Sequence, residues 1–185
     1  MTLVDWQIQW RCNDFSWQPN SVKSWLFKQA AFPKPSMIEP YNPDQVNAAS
    51  YDVLLGDRIK VAMFGNQWKT IELDGFPYQL IQGEFILAET VETFYIPRNV
   101  SAQFALKSSR GREGYEHLSA GFIDPAWHGS KLTMELFNAN PNPIPIYKGL
   151  RLGQIIFTRC DAQPIKAYDE RGRYNGDNGV QESKG

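Results

Sequence analysis

From Ser50 onward the chain falls into short β-type runs, YDVLLG, RIKVAMF, EFILAETVETFYI, AQFALKS, GFID, KLTMELFN, IPIYK and LGQIIFTR, with Gly, Pro, Asn and Asp between them. Apolar and β-branched runs punctuated at such short intervals specify an all-β chain. Strands in this number leave raw edges unless the sheet closes, so a closed or double-sheet barrel is expected. Pro97, Pro125, Pro141, Pro143 and Pro145 fall between or at the ends of the runs, where a missing N–H donor does little harm. Ahead of the β region, Ser21 is placed to cap a helix reaching about Phe32, with Val22, Trp25, Leu26 and Ala30 on one face, and PKPS ends it. DWQIQW alternates like a strand but also fits a helical turn. A partly helical N-terminal segment over about 1–36 is therefore expected. The tail, about 168–185, is rich in Gly, Asn and charge, a composition that favours disorder unless a ligand orders it. The 185 residues are enough for one domain, 1–185, with a sizeable core.

Composition removes several functions. Nineteen Lys and Arg against 20 Asp and Glu leave a net charge of −1, so nothing global favours a nucleic-acid or membrane surface. Cys12 and Cys160 form no C-x-x-C pair, which fits a reducing compartment. MTLVDWQIQW has no basic segment followed by an apolar run, and no stretch approaches the ~20 apolar residues of a membrane span. A cytoplasmic protein is expected. With His117 and His128 as the only histidines, no closed zinc set is visible, and the H-x-E and P-C-x-x-C elements of zinc deaminases are missing. Neither G-x-S-x-G nor a P-loop occurs.

Carboxylates remain. Asp124, in AGFIDPAW, stands where a strand meets a turn, as either a turn acceptor or a functional acid. Glu135, in KLTMELFN, has apolar residues on both sides, with Thr133, Glu135 and Phe137 on one strand face and Leu132, Met134 and Leu136 on the other. An acid there must be paired, hydrogen-bonded or held beside a cavity, and desolvation would raise its pKa into a range useful for proton transfer. KSSRGREGY gathers hydroxyls, arginines and glycines in the manner of a polyphosphate site, or of an ordinary solvated turn. Asp52 in ASYDVLLG and Gln154 in GLRLGQIIF are polar intrusions in apolar strands.

In order and spacing, MIEPYNPDQVNAASYDVLLG, GEFILAETVETFYIPRNVSAQFALKSSRGREGY, AGFIDPAWHG, LTMELFN, LGQIIF and RYNGDNG resemble the dCTP deaminase branch of the dUTPase-like superfamily over about residues 37–180. The resemblance implies a distorted jelly-roll or β-barrel subunit. It also implies a homotrimer with active sites between subunits, and Mg²⁺ carried on the nucleotide triphosphate with no protein-bound metal. By motif, Glu135 resembles the general acid/base that activates water at the pyrimidine C4, and Asp124 an acid near the deoxyribose that orients the hydrolytic water. Ser108, Ser109, Arg112, Lys166, Arg173 and Tyr174 are implied at the phosphates. Ala120, Phe122, Gln154 and Tyr168 are implied at the base and sugar. SAGFID, with Phe122 where deaminases that stop at dUTP tend to carry arginine, is similar to the bifunctional members that take dCTP and dUTP to dUMP. The alternatives are a member that keeps one step only, or a nucleotide-binding regulatory trimer. The chain departs from the family at Arg110 and Glu113, where leucines are usual, and at Asp177, where a glutamine is commoner.

Overall fold

The computed structural model describes residues 1–14 and 36–185. The helix expected over 21–32 lies outside the described residues. The undecided DWQIQW is a helix, α1 (Asp5–Arg11), with Asp5 in its first turn and Arg11 in its last, each complementing the helix dipole. Ahead of it Leu3 donates to the Phe157 carbonyl (2.8 Å), so the N-terminus borders the strand that carries Phe157.

The β region begins with β1 (Ile38–Glu39), a 3₁₀ turn at Pro43–Gln45, β2 (Val46–Asn47), β3 (Ser50–Met63), β4 (Gln67–Glu72) and β5 (Tyr78–Leu80). It continues through β6 (Phe85–Tyr95), β7 (Val100–Leu106), the short helix α2 (Ser108–Arg112), β8 (Tyr115–Glu116) and β9 (Phe122–Ile123). β10 (His128–Asn138), β11 (Ile144–Ile146), β12 (Arg151–Arg159) and the turn-length helix α3 (Tyr168–Arg171) complete the order. The main hydrogen-bonded path runs β8-β10-β6-β3-β12-β7-β9, with β4 also on β3, and the pairs are antiparallel.

β3 is the corner. Its first half pairs with β12 and its second with β6 and β4, and the β3–β6 register shifts between Leu55 and Ile59. Gly56 lies inside that shift, and a Cβ there would stand 2.7 Å from Glu89 Cγ, so the crossing needs a residue without a side chain. The two arms share one apolar cluster: Ile86, Ala88, Met134 and Leu136 from β6 and β10, Phe104, Ile155 and Phe157 from β7 and β12. The all-β reading with short N-terminal helical structure is thus the observed class.

Gly153 on β12 marks how closely the second arm packs. A Cβ there would lie 2.2 Å from Phe104 Cε2 and 2.8 Å from the Ala105 carbonyl, and Phe104 is itself buried. Gly153→Ala must therefore displace a core ring, and overpacking of this kind costs about 1–3 kcal/mol. The expected result is a melting temperature lowered by several degrees, read by differential scanning calorimetry.

Candidate active site

From Met134 onward β10 alternates as its sequence pattern requires: Met134 and Leu136 point into the core, while Thr133, Glu135 and Phe137 take the opposite face. The neighbouring strand extends that face, because Thr133 pairs with Glu89, Glu135 with Leu87 and Phe137 with Phe85. This face floors a cleft of about 460 Å³. Trp68 and Phe85, with ring centroids 6.0 Å apart, wall one end. Ala120, Phe122 and Asp124 line one side, and Tyr168, Tyr174, Asp177 and Gln181 to Ser183 the other.

Of the three options for Glu135, the structure adopts the cavity. Burial pushes its carboxyl above the usual carboxylate range, with the charge of His117 acting weakly in the opposite sense. The His117 ring meets Phe104 edge-on (5.3 Å, 80°), and its buried Nδ1 has no hydrogen bond among the described residues. Sequence reasoning weighed His117 only as a metal ligand and missed this proximity. Leu118 (φ 55°) and Ser119 (φ 56°) then occupy the left-handed region, which bulky side chains adopt at a cost, and deliver Ala120 to the cleft.

Asp124 follows β9 and stands exposed at the cleft. Its turn is fixed from behind: the Trp127 N–H donates to the Asp124 carbonyl (3.3 Å), Tyr168 N to the Pro125 carbonyl (3.0 Å), and buried Trp127 stacks on Phe94 at 6.0 Å. Arg98 holds α3 through Asp169 (2.9 Å) and Glu170 (3.0 Å).

The tail has partners that its composition does not reveal. The Lys131 N–H donates to the Asp177 carbonyl (2.9 Å), Gly176 N to the His128 carbonyl (3.2 Å) and Gln181 N to Thr133 Oγ1 (3.0 Å). Trp127 Nε1 and Ser130 Oγ both donate to the Tyr174 carbonyl, at 3.1 and 2.7 Å. β10 thus supplies the backbone groups that order a Gly- and Asn-rich segment along its edge. Ser130, wholly buried, also accepts from Asp177 N (3.2 Å). Ser130→Ala leaves Asp177 N unpaired and the Tyr174 carbonyl with Trp127 Nε1 alone, at a cost of about 1–3 kcal/mol. Its expected signature is faster amide exchange and tryptic cleavage confined to the tail.

Charge in the cleft is uneven. Asp124, Glu135, Asp177 and Glu182 line it, whereas Lys131 is its single lining Lys or Arg among the described residues. Lys131 is held by fully buried Glu89 (3.1 Å), which also takes Arg58 (3.4 Å). Asp177 is neutralised by Lys184 (2.7 Å), so its departure from glutamine is compensated within the tail. Glu182 pairs with Lys60 (2.7 Å). Arg110 and Glu113, the other departure, pair with each other at 2.6 Å.

Six of the residues expected at the site therefore meet in one cleft: Glu135, Asp124, Ala120, Phe122, Tyr168 and Tyr174. The other six do not line it. Ser108, Ser109 and Arg112 are exposed on α2, and Lys166 and Arg173 are exposed near the tail. Gln154 stands on β12 between Asp52 and Ala105, accepting from Ser50 Oγ (2.8 Å).

A bent antiparallel sheet that carries a desolvated glutamate, an exposed aspartate and an aromatic wall in one tail-covered cleft defines a candidate small-molecule enzyme of β-barrel type. The dCTP deaminase-like family model matches residues 27–160, and the chain belongs to that family. It is 34% identical over 158 residues to a dCTP deaminase, dUMP-forming, of Aquifex aeolicus (strain VF5), covering 80% of this chain and 84% of that one. A protein of the same description from Thermobifida fusca (strain YX) is 32% identical over 166 residues, covering 80% and 83%. The crystal structure of 2'-deoxycytidine 5'-triphosphate deaminase from Agrobacterium tumefaciens superposes with a TM-score of 0.54 at 26% identity over 65% of this chain. The match covers 43% of that longer protein.

Proposed function

We propose that the chain deaminates dCTP at C4 and hydrolyses dUTP to dUMP and pyrophosphate on one bound nucleotide. The observation that carries this is the presence of Glu135 and Asp124 in a single cleft, in environments of opposite kind: one carboxyl desolvated, the other exposed. Environments that differ in this way separate acid/base roles between two carboxyls.

In the deamination step Glu135 takes one proton from water as its oxygen bonds to C4 and passes it to ring N3, then takes the proton of the C4 hydroxyl as the carbonyl forms and passes it to the amino group. The C4–N bond then breaks and ammonia leaves. In the hydrolytic step Asp124 orients a second water towards the α-phosphorus. The water gives a proton to Asp124 as its oxygen bonds to the α-phosphorus, the bond to the bridging oxygen breaks, and pyrophosphate departs with the electron pair. Trp68, Phe85 and Leu87 keep the Glu135 end of the cleft apolar, which sustains the raised carboxyl. The nucleotide enters as its magnesium complex, and the ion neutralises phosphate charge. Phosphate oxygens suit this hard cation, and among the described residues no three His, Cys, Asp or Glu side chains gather as a metal cage.

Lys131, Lys184 and Lys60 are already paired with Glu89, Asp177 and Glu182, while Asp124 and Glu135 add acid to the cleft, which makes it a poor receptacle for a triphosphate. The exposed Ser108, Ser109 and Arg112 of α2 are the complementary half. A homotrimer in which α2 of one subunit faces the cleft of the next would unite them, with Lys166, Arg173 and Tyr174 from the tail at the phosphates. Ala120, Phe122, Gln154 and Tyr168 then serve base and sugar. The test is incubation with dCTP and Mg²⁺, separating dCMP, dUTP and dUMP and assaying ammonia. Ammonia and dUMP appearing together are expected. Accumulated dUTP would reduce the function to deamination, dCMP without ammonia would leave pyrophosphate release alone, and no turnover would favour a regulatory nucleotide binder.

A further inference from the structure

Asp52 interrupts an apolar strand yet lines no part of the cleft, and its surroundings give it a function. Its carboxylate is 2% exposed and receives the Lys107 ammonium on both oxygens, at 2.7 and 2.7 Å. Asn47 Nδ2 donates to the same carboxylate at 2.8 Å and Arg151 Nη1 approaches at 3.4 Å. Its backbone carbonyl accepts from Gln45 Nε2 (2.7 Å), which also donates to buried Glu92 (2.6 Å), and Glu92 in turn takes the Leu54 N–H (3.1 Å). The carboxylate is therefore anchored in the sheet from both sides.

Lys107 is the residue that opens α2. It has extended backbone (φ −64°, ψ 139°), its N–H donates to the Leu152 carbonyl (3.1 Å), and its carbonyl accepts from Gly111 N (3.0 Å). Register places Asp52, Gln154 and Ala105 abreast on β3, β12 and β7, and Lys107 lies two residues beyond Ala105. One buried acid thus joins α2, which carries Ser108 and Arg112, to the strand that carries Gln154.

We propose that Asp52 is a positioning residue for the phosphate-binding end of the site: through Lys107 it fixes α2 so that Ser108 and Arg112 meet the triphosphate in register with Gln154. The proposal rests on the function proposed above. Asp52 is buried and Lys107 partly exposed, so losing the lysine would leave a buried carboxylate with Arg151 at 3.4 Å as its remaining cation, and the pair is held in one geometry from the Asp52 side. α2 has no side-chain cap of its own and gains its orientation from this tether.

The test compares Asp52→Asn, Lys107→Met, Lys107→Arg and the double variant Asp52→Asn/Lys107→Met. It reads kcat and KM for dCTP and dUTP, calorimetric binding of inorganic triphosphate, and melting temperature. Asp52→Asn is expected to raise KM for both nucleotides at least about tenfold, the effect of losing one partner of a buried charge pair. Inorganic triphosphate should weaken in parallel, with kcat for dCTP deamination kept within about threefold, because the Glu135 end is untouched. Lys107→Arg should recover most of the affinity, and the double variant should be no worse than the worse single. KM and triphosphate binding within about twofold of the unsubstituted protein would overturn the role. So would a loss spread over kcat and KM that follows the melting temperature in every variant, since that describes a merely structural pair. If the unsubstituted protein turns over neither nucleotide, the proposed function falls while triphosphate binding still scores the positioning role. If inorganic triphosphate also fails to bind it, both fall.

Discussion

Glu135→Gln is expected to abolish ammonia release from dCTP, by a factor of about 10²–10⁴, while dUTP is still converted to dUMP. The substitution keeps shape and polarity on β10 and removes only the capacity to take a proton. Its neighbours Leu87 and Thr133 are unaffected, so folding and nucleotide affinity should survive, which a melting curve and dUTP turnover check directly. The same residue fixes a pH dependence. Burial raises its carboxyl, and as the base it acts ionised, so deamination should fall as pH drops through a value above the usual carboxylate range. dUTP hydrolysis by the same protein should lack that limb. The sign follows from the raised value: the working form is lost at a higher pH than for an exposed glutamate. Deamination in Glu135→Gln above about one tenth of the original rate would remove this residue from the chemistry.

Glu135 was legible because an acid inside an apolar alternating strand needs a physical reason, and a cavity is one of few. The strands were legible where runs carry their own punctuation, as at Pro125, whereas YDVLLG and RIKVAMF, read as two runs, join through Gly56 into the single strand β3. What was not legible depended on contacts between distant segments. His117 reaches the vicinity of Glu135 because β8 pairs with the end of β10, Glu116 opposite Phe137, a long-range contact that no local pattern announces. The tail reads as disordered because its hydrogen-bonding partners, Trp127 and the β10 residues Ser130 and Thr133, lie 44 to 48 residues earlier in the chain. Asp52 was visible as an intrusion, yet its partner Lys107 lies 55 residues further along and sits in a turn that looks solvated. α1 was undecidable because seven residues with apolar positions at both periods fit either element until Leu3 and Ile8 find the core. The masking of the phosphate half has a different cause: Ser108, Ser109 and Arg112 are exposed, and an exposed polar cluster has no signature that separates it from an ordinary surface turn.

Asp124→Asn distinguishes that ordinary explanation from the functional one at the other acid. As a turn residue Asp124 contributes its backbone carbonyl to Trp127 N, and asparagine keeps that bond and serves as well in an Asx turn. A turn role therefore forecasts an unchanged enzyme. As the residue that orients the hydrolytic water it contributes charge, which asparagine lacks. Hydrolysis of dUTP to dUMP should then fall by about 10²–10⁴ while ammonia release from dCTP stays within a few-fold, so that dUTP accumulates where dUMP had been the end product. Glu135→Gln and Asp124→Asn would thus block opposite steps at one cleft, and equal proportions of the two activities in both variants would show that the carboxyls share a single role. Mixing the two variants, each retaining one step, supplies a further arm. If Ser108 and Arg112 of one subunit complete the cleft of the next, neither acid crosses with them, because Glu135 and Asp124 line the same cleft of the same chain. Mixed trimers should then make dUMP from dCTP only through released dUTP, with a lag that shortens as protein concentration rises.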